Sequence, residues 1–256
     1  MIRVAIAGPR GKMGEEAVSM VVAHAEFELV SVLDSKQSGL DLGSVPVYTS
    51  IEQLLEETNP QVFIDLTTPE LGMKHTTAAI QAGVRPVVGT TGFTQQDLTE
   101  LEELCEKTQI GCIIAPNFSI GAILMMKFAE QAARYMQDVE IIEMHHDKKL
   151  DAPSGTAVKT AELIQNNRPA HQQGHPEEQE SIEGARGADL EGIKLHSVRL
   201  PGLVAHQQVL FGGEGQLLTL RHDSFTRGSF MPGVALCIKE VMTTTKLIYG
   251  LENLID

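Results

Sequence analysis

Residues 143–157 read EMHHDKKLDAPSGTA. Two adjacent histidines are followed by an acid, two lysines, a second acid and Pro-Ser-Gly-Thr. The chain has a formal charge of −14, yet His145, His146, Lys148 and Lys149 stand within five positions of one another. Cations concentrated in this way suit an anionic ligand. A helix expected to start near Ser154 or Thr156 would add backbone N–H groups from Gly155 and Thr156. A dicarboxylate would fit such a place, and a histidine or lysine there could pass a proton. A solvated charged loop is the plain reading of any one of these residues; their clustering argues for function. Zinc is the weaker option, since adjacent histidines splay apart on a strand and no cysteine or third histidine stands at ligand spacing. No metal is expected.

A second constellation lies near the start of the chain. Gly8, Gly11 and Gly14 form GxxGxxG after a short apolar run, a variant of the common dinucleotide fingerprint GxGxxG. Glycines let the backbone turn sharply and approach a pyrophosphate, and the helix that follows offers free N–H groups. Alone, the pattern describes any tight strand-to-helix turn. Asp34 changes that weighting. It ends the next apolar run, where an acid would accept hydrogen bonds from an adenosine ribose. Its charge would repel a 2′-phosphate and so favours NADH. Lys36 could offset that repulsion, which keeps NADPH as the alternative, although a solvated loop lysine is its simpler reading. GTTGF (89–93) and APNFS (115–119) end later apolar runs and could face the nicotinamide.

These residues need elements to position them. RVAIAG (3–8), FELVSVLD (27–34), QVFIDLT (61–67), RPVVGTT (85–91) and IGCIIAP (110–116) read as short buried strands. Helical patterns alternate with them: 13–25, 50–58 with Ser50 as cap, 69–83, and 94–108 with Thr94 as cap. Such alternation predicts an α/β fold with a parallel sheet covered on both faces, with ligands beyond the carboxyl ends of its strands. The pattern then changes. A helix is expected over 120–136, a strand over 139–146 and a helix over 153–165. The charged stretch is therefore a strand-to-helix loop placed where a substrate domain would begin. Residues 166–192 are polar with little periodicity and read as a long loop. IKLHSVRL, AHQQVLFG and GQLLTLRHD read as antiparallel strands, and 231–245 as a helix.

Composition sets outer bounds. The chain has 256 residues, 42% hydrophobic and 21% charged, which suits one large soluble domain or two modest ones. Its acidity argues against a broad nucleic-acid surface. Cys105, Cys112 and Cys237 are odd in number and form no CxxC pair, so a reducing cytoplasm is the expected setting. No signal sequence and no membrane span are expected.

EMHHDKKLDAPSGTA resembles the signature of the dihydrodipicolinate reductase family, E-x-H-H-x-x-K-x-D-x-P-S-G-T-A, with every fixed position present. VAIAGPRGKMG, VGTTGF and APNFSIG are similar to further family motifs in the expected order, and the resemblance extends through HSVRLPGLVAHQQVLF and HDSFTRGSF. Ala205 stands before His206 where the family usually has G-x-H, a departure that bears on a loop rather than on chemistry.

The resemblance implies a Rossmann-type dinucleotide-binding domain over 1–118, with 229–256 returning to it. It also implies a smaller α+β substrate and oligomerisation domain with an open mixed sheet over 119–228. The implied hinge lies near 117–119 and 227–230. The implied reaction is reduction of 4-hydroxy-tetrahydrodipicolinate by NADH or NADPH with loss of water, a step in lysine biosynthesis through diaminopimelate. By the same resemblance, His145 is the catalytic proton donor and acceptor and Lys149 a proton donor. His146, Gly155 and Thr156 bind the substrate. The cofactor is lined by Gly8, Pro9, Arg10, Gly11, Lys12, Met13, Asp34, Lys36, Gly89, Thr90, Thr91, Ala115, Pro116, Asn117 and Phe118. A homotetramer is implied, with no nucleic-acid or membrane partner.

Two rivals compete with this reading. Another two-domain nicotinamide oxidoreductase would share the nucleotide half but not the HHxxKxDxPSGT loop. A regulator that binds dinucleotide without turnover would tolerate Lys149→Ala.

Overall fold

A computed structural model describes residues 1–37 and 39–255. The chain opens with alternating strands and helices: β1 (Ile2–Ala7), α1 (Lys12–Ala23), β2 (Phe27–Leu33), β3 (Val47–Tyr48), α2 (Ile51–Thr58), β4 (Val62–Asp65), α3 (Pro69–Gln81), β5 (Arg85–Val88), α4 (Gln95–Thr108) and β6 (Cys112–Ile114). The helix starts follow from their caps. Ser50 accepts from the Gln53 N–H, and Thr94 forms a reciprocal box with Asp97. Next come α5 (Ile120–Ala133), β7 (Asp138–His145), α6 (Gly155–Asn166), β8 (Ala188–Leu190), β9 (Ile193–Arg199), β10 (Ala205–Gly213) and β11 (Gln216–Ser224). The described chain closes with α7 (Met231–Glu240) and β12 (Leu247–Tyr249), each beside a short 3-10 turn.

The chain divides into two compact units, Met1–Ile120 with Arg227–Asp256, and Gly121–Thr226. The first is built on a seven-stranded sheet in the order β12-β6-β5-β4-β1-β2-β3. Its recorded strand pairings are parallel. A parallel sheet is covered on both faces, which is why Val4–Ala7 and all of β4 are buried without polar alternation. Phe63, Leu54 and Ala79 form part of the core on one side, and Leu101, Cys105 and Cys112 part of another cluster. Strand order reverses between β1 and β4, which creates the crevice where such sheets bind ligands.

The second unit is a five-stranded mixed sheet in the order β11-β10-β7-β9-β8. Here the structure corrects one expectation. β10 and β11 form an antiparallel hairpin, but β9 does not join them: it lies on the other side of β7 and runs parallel to it. The cause is the crossover through α6, which returns the chain to the same end of the sheet before β9 begins. The polar segment 166–192 is also less plain than expected, since it contains β8, antiparallel to β9. The last helix stops at Glu240, five residues early, ahead of the poor helix formers Thr243–Thr245.

Candidate functional site

In the first unit, the β1–α1 turn is shaped by close approach. Gly8 adopts φ +79°, and a Cβ there would stand 2.8 Å from the Leu66 carbonyl oxygen. A Cβ on Gly14 would stand 2.0 Å from the Gly8 oxygen, so only glycine lets α1 start against the turn. Gly11 is the N-cap of α1 and no side chain caps this helix. An uncapped N-terminus over a glycine turn suits a pyrophosphate. Pro9 is buried beneath the turn, whereas Arg10, Gly11 and Lys12 are exposed and Met13 is half-buried.

Asp34 follows β2 and is buried. Its Oδ1 accepts from the Lys36 backbone N–H at 2.8 Å, and its Oδ2 from Arg10 Nε at 2.8 Å. Arg10 also donates from Nη1 to the Gly39 carbonyl at 3.0 Å. The sequence placed Arg10 and Asp34 separately along the cofactor; the fold makes them an ion pair. The electrostatic objection to a 2′-phosphate therefore weakens, because a guanidinium offsets the carboxylate.

The ends of β4 and β5 meet at Asp65, which sequence reasoning did not single out. It is fully buried. Its Oδ1 accepts from the Thr67 N–H at 3.1 Å, the Thr67 hydroxyl at 2.8 Å and the Thr90 hydroxyl at 2.8 Å. Its Oδ2 faces His75 Nδ1 at 2.7 Å. This acid holds the GTTGF turn in shape: Thr90 is buried against it, while Thr91 is exposed. Gly89 leaves room for the Phe118 ring, whose Cε2 would stand 2.6 Å from a Cβ there. Ala115 is buried and paired to β5 through its N–H, Pro116 is exposed, and Asn117 Oδ1 accepts from the Ser119 N–H at 2.9 Å. The glycine cradle, the bare helix end and the buried acid together fit a dinucleotide.

The charged stretch lies in the second unit. His145 ends β7, and the chain turns at His146, whose carbonyl accepts from the Lys149 N–H at 3.2 Å. Lys149 Nζ pairs with Asp151 at 2.7 Å. That contact holds the Asp151 carboxyl below its usual range. His146 Nδ1 is buried and has no partner among the described residues. Ser154 caps α6 by accepting from the Ala157 N–H at 3.2 Å. Because this cap serves the third helical N–H, the first two, on Gly155 and Thr156, remain for an anion. The space beside Gly155 is open: a Cβ there would meet nothing within 4 Å.

Sequence reasoning also missed the hub beneath this loop. Glu143 Oε2 faces His145 Nδ1 at 2.5 Å and accepts from Arg199 Nη1 at 2.8 Å; Oε1 accepts from Arg199 Nη2 at 2.6 Å and from the Ser154 N–H at 3.2 Å. Burial opposes ionisation of Glu143, but hydrogen bonds from Arg199, Ser197 and His145 outweigh it and hold the carboxyl below its ordinary value. Burial, together with the nearby Lys149 and Arg199 charges, outweighs the Glu143 carboxylate and holds His145 below its ordinary value. The available signal was that Glu143 opens the signature stretch and Arg199 lies within HSVRLPGLVAHQQVLF, neither of them assigned a role there. Their partnership spans 56 residues and no local pattern shows it.

The comparisons with known proteins agree with this geometry. The family description "Dihydrodipicolinate reductase, N-terminus" matches residues 2–118, and "Dihydrodipicolinate reductase, C-terminus" matches 121–255. The 4-hydroxy-tetrahydrodipicolinate reductase of Lysinibacillus sphaericus is 61% identical over 263 aligned positions, covering 99% of each chain. The Bacillus pumilus enzyme of the same name is 60% identical, over 100% of this chain and 98% of its own. A solved structure, dipicolinate-bound dihydrodipicolinate reductase from Paenisporosarcina sp. TG-14, superposes with a TM-score of 0.95 at 58% identity over the whole of both chains. An amine dehydrogenase from Mycobacterium smegmatis shares the fold alone, at a TM-score of 0.68 and 15% identity over 98% of this chain and 95% of its own. With matched residues running through both units and the signature loop intact, the chain belongs to the dihydrodipicolinate reductase family.

Proposed function

We propose that this protein is an NAD(P)H-dependent oxidoreductase that reduces 4-hydroxy-tetrahydrodipicolinate to tetrahydrodipicolinate with loss of water, in lysine biosynthesis through diaminopimelate. The observation that carries the reading is the pairing of a dinucleotide crevice in one unit with the complete HHxxKxDxPSGT loop in the other. The dipicolinate bound by the Paenisporosarcina relative is a dicarboxylate, the ligand class for which this loop is built.

Gly8–Met13 and the N-terminus of α1 would hold the pyrophosphate, Asp34 the ribose, and Gly89–Thr91 with Ala115–Phe118 the nicotinamide end. Lys36 would lie at the ribose rim. When bound, the reduced nicotinamide supplies a hydride to carbon 4 of the dehydrated substrate. Gly155 and Thr156 would anchor one substrate carboxylate through their N–H groups, and His146, with its unpartnered Nδ1, would add a polar contact. Electron density then shifts toward the ring nitrogen and leaves an enamine, which needs a proton at carbon 5, beside the carbon that received the hydride. His145 is depressed toward its neutral form. The Lys149 ammonium is therefore the better proton source, with His145 accepting and returning protons beside it.

Both NADH and NADPH are proposed as cofactors, because Arg10 offsets Asp34. A homotetramer is proposed through the edge of the mixed sheet. Leu217 and Leu218 point to opposite faces of β11 yet are 66% and 38% exposed, so that edge is bare on both sides. No helix among the described residues is long and apolar enough to cross a membrane. The need for NAD(P)H supports a cytoplasmic setting.

The test is loss of reduced-nicotinamide absorbance with freshly made hydroxy-tetrahydrodipicolinate, using each cofactor in turn. Rapid, substrate-dependent loss that collapses in Lys149→Ala is expected. Tight cofactor binding without turnover would favour the regulator instead.

A further inference from the structure

We infer that Glu143 is a positioning residue that sets, from one buried carboxylate, both the tautomer of His145 and the placement of the α6 N-terminus that receives the substrate carboxylate. The inference rests on the proposed reductase reading and deepens it.

The geometry is specific. The Glu143 side chain is 1% exposed, and its contacts come from three separate segments. His145, two residues along β7, meets Oε2. Arg199, at the end of β9, grips both oxygens and donates to the Asp151 carbonyl at 2.8 Å. Ser154, the cap of α6, gives its N–H to Oε1. An ionised carboxylate only accepts hydrogen bonds, so His145 must present Nδ1–H to it. The neutral ring then directs the Nε2 lone pair away from Glu143. The same carboxylate fixes the residue directly before Gly155. Movement of Glu143 would therefore disturb the proton-handling ring and the carboxylate cradle together. Arg199 makes this arrangement tolerable in a buried place, because it balances the Glu143 charge through a two-pronged contact.

A purely structural role would predict only a loss of stability on substitution. The alternatives separate in experiments on the full chain labelled with ¹⁵N-histidine. In the wild type at neutral pH, His145 should show a protonated Nδ1 and a bare Nε2, assigned by comparison with His145→Asn. In Glu143→Gln, the tautomers should mix. Turnover should fall about 10- to 100-fold, and KM for the substrate should rise while KM for NADH stays within about twofold. The pH profile is the second readout. The charges facing His145 are Glu143 on its own strand, Arg199 on β9 and Lys149 in the loop. Removing Glu143 leaves only the two cations, so the limb that titrates with His145 should move to lower pH.

A wild-type ring protonated on Nε2 overturns the inference. So does a folded Glu143→Gln enzyme with unchanged kcat, KM and pH profile. If Glu143→Gln does not fold, Glu143→Asp takes its place: a retained Nδ1–H tautomer with reduced turnover supports the inference, and a changed tautomer with full turnover overturns it. Full turnover in His145→Asn would instead refute the proposed roles on which the inference is built, while the wild-type tautomer would still decide the geometry.

Discussion

Arg10 lies across Asp34, its Nε donating to Oδ2 at 2.8 Å where β2 ends. This contact joins the glycine turn to the acid expected to hold the ribose. Under the proposed cofactor reading it should also govern how the site treats a 2′-phosphate. Asp34 alone would repel one; Asp34 with a guanidinium beside it presents both an acceptor for hydroxyls and a cation for phosphate. Arg10→Ala should therefore raise KM for NADPH about tenfold more than KM for NADH, a difference of about 1.4 kcal/mol. Asp34→Ala should do the reverse and weaken NADH more. Steady-state kinetics with both cofactors checks this; equal changes for the two cofactors would show that neither residue reads the 2′ position.

Lys149 pairs with Asp151, on an exposed loop outside the hub beneath it. Lys149→Ala should lower kcat by about 10²- to 10³-fold, within the range that a positioned proton donor contributes. Cofactor affinity, measured by isothermal titration, should stay unchanged because the dinucleotide crevice belongs to the other unit. Loss of cofactor binding in this variant would mean that the loop holds the dinucleotide rather than the proton.

Asp65 has no solvent exposure and accepts from Thr67, Thr90 and the His75 ring. Asp65→Ala would leave these donors buried and unpaired, each at a cost of about 1–3 kcal/mol where relaxation cannot restore a partner. A total loss of about 2–4 kcal/mol is expected by urea unfolding. KM for the cofactor should rise as well, since Thr90 shapes the GTTGF turn. Unchanged stability would mean that water replaces the carboxylate.

The degree to which these features were legible in the sequence follows from their range. Buried parallel strands such as VAIA and VFID announce themselves as apolar runs, and Ser50, Thr94 and Ser154 mark helix starts because a cap acts within three residues. The HHxxKxDxPSGT loop was legible because its residues are neighbours. Arg10 on Asp34, Thr90 on Asp65 and Arg199 on Glu143 were not, since each contact joins residues far apart in the chain that meet only when the sheet forms. β3 and β12 were missed because two or three residues show no period. The parallel placement of β9 escaped for a related reason: an apolar alternation states that a strand exists, but not which neighbour it takes.

Stability should fall on acidification, and the sign can be worked out. Burial lowers His145 and His222 in the folded state. The unfolded chain therefore binds more protons as the pH falls below the ordinary histidine value of about 6.5, and linkage makes stability decline there. Glu143, also depressed, adds a second loss below about 4.5, its ordinary value. Urea midpoints should thus drop between about pH 7.5 and about pH 5.5. His222→Asn, which cannot titrate, should flatten that slope. A slope unchanged in the variant would assign the loss to other groups.

Gly155 allows the carboxylate cradle to be tested without disturbing the fold. It is the first residue of α6, and Ser154 before it is extended at φ −66° and ψ 149°, a conformation that tolerates a following proline. Proline is also favoured at a first helical position, where its missing N–H costs the helix nothing. Gly155→Pro should consequently keep the melting temperature while removing the N–H proposed to hold the substrate. KM for the substrate should rise about 10- to 100-fold, the worth of one hydrogen bond to a charged group. Gly155→Ala retains the N–H and has open space for its methyl group, so it should keep both stability and KM. If both variants weaken substrate equally, the requirement at this position is for the space beside glycine rather than for its N–H, and the cradle is Thr156 alone.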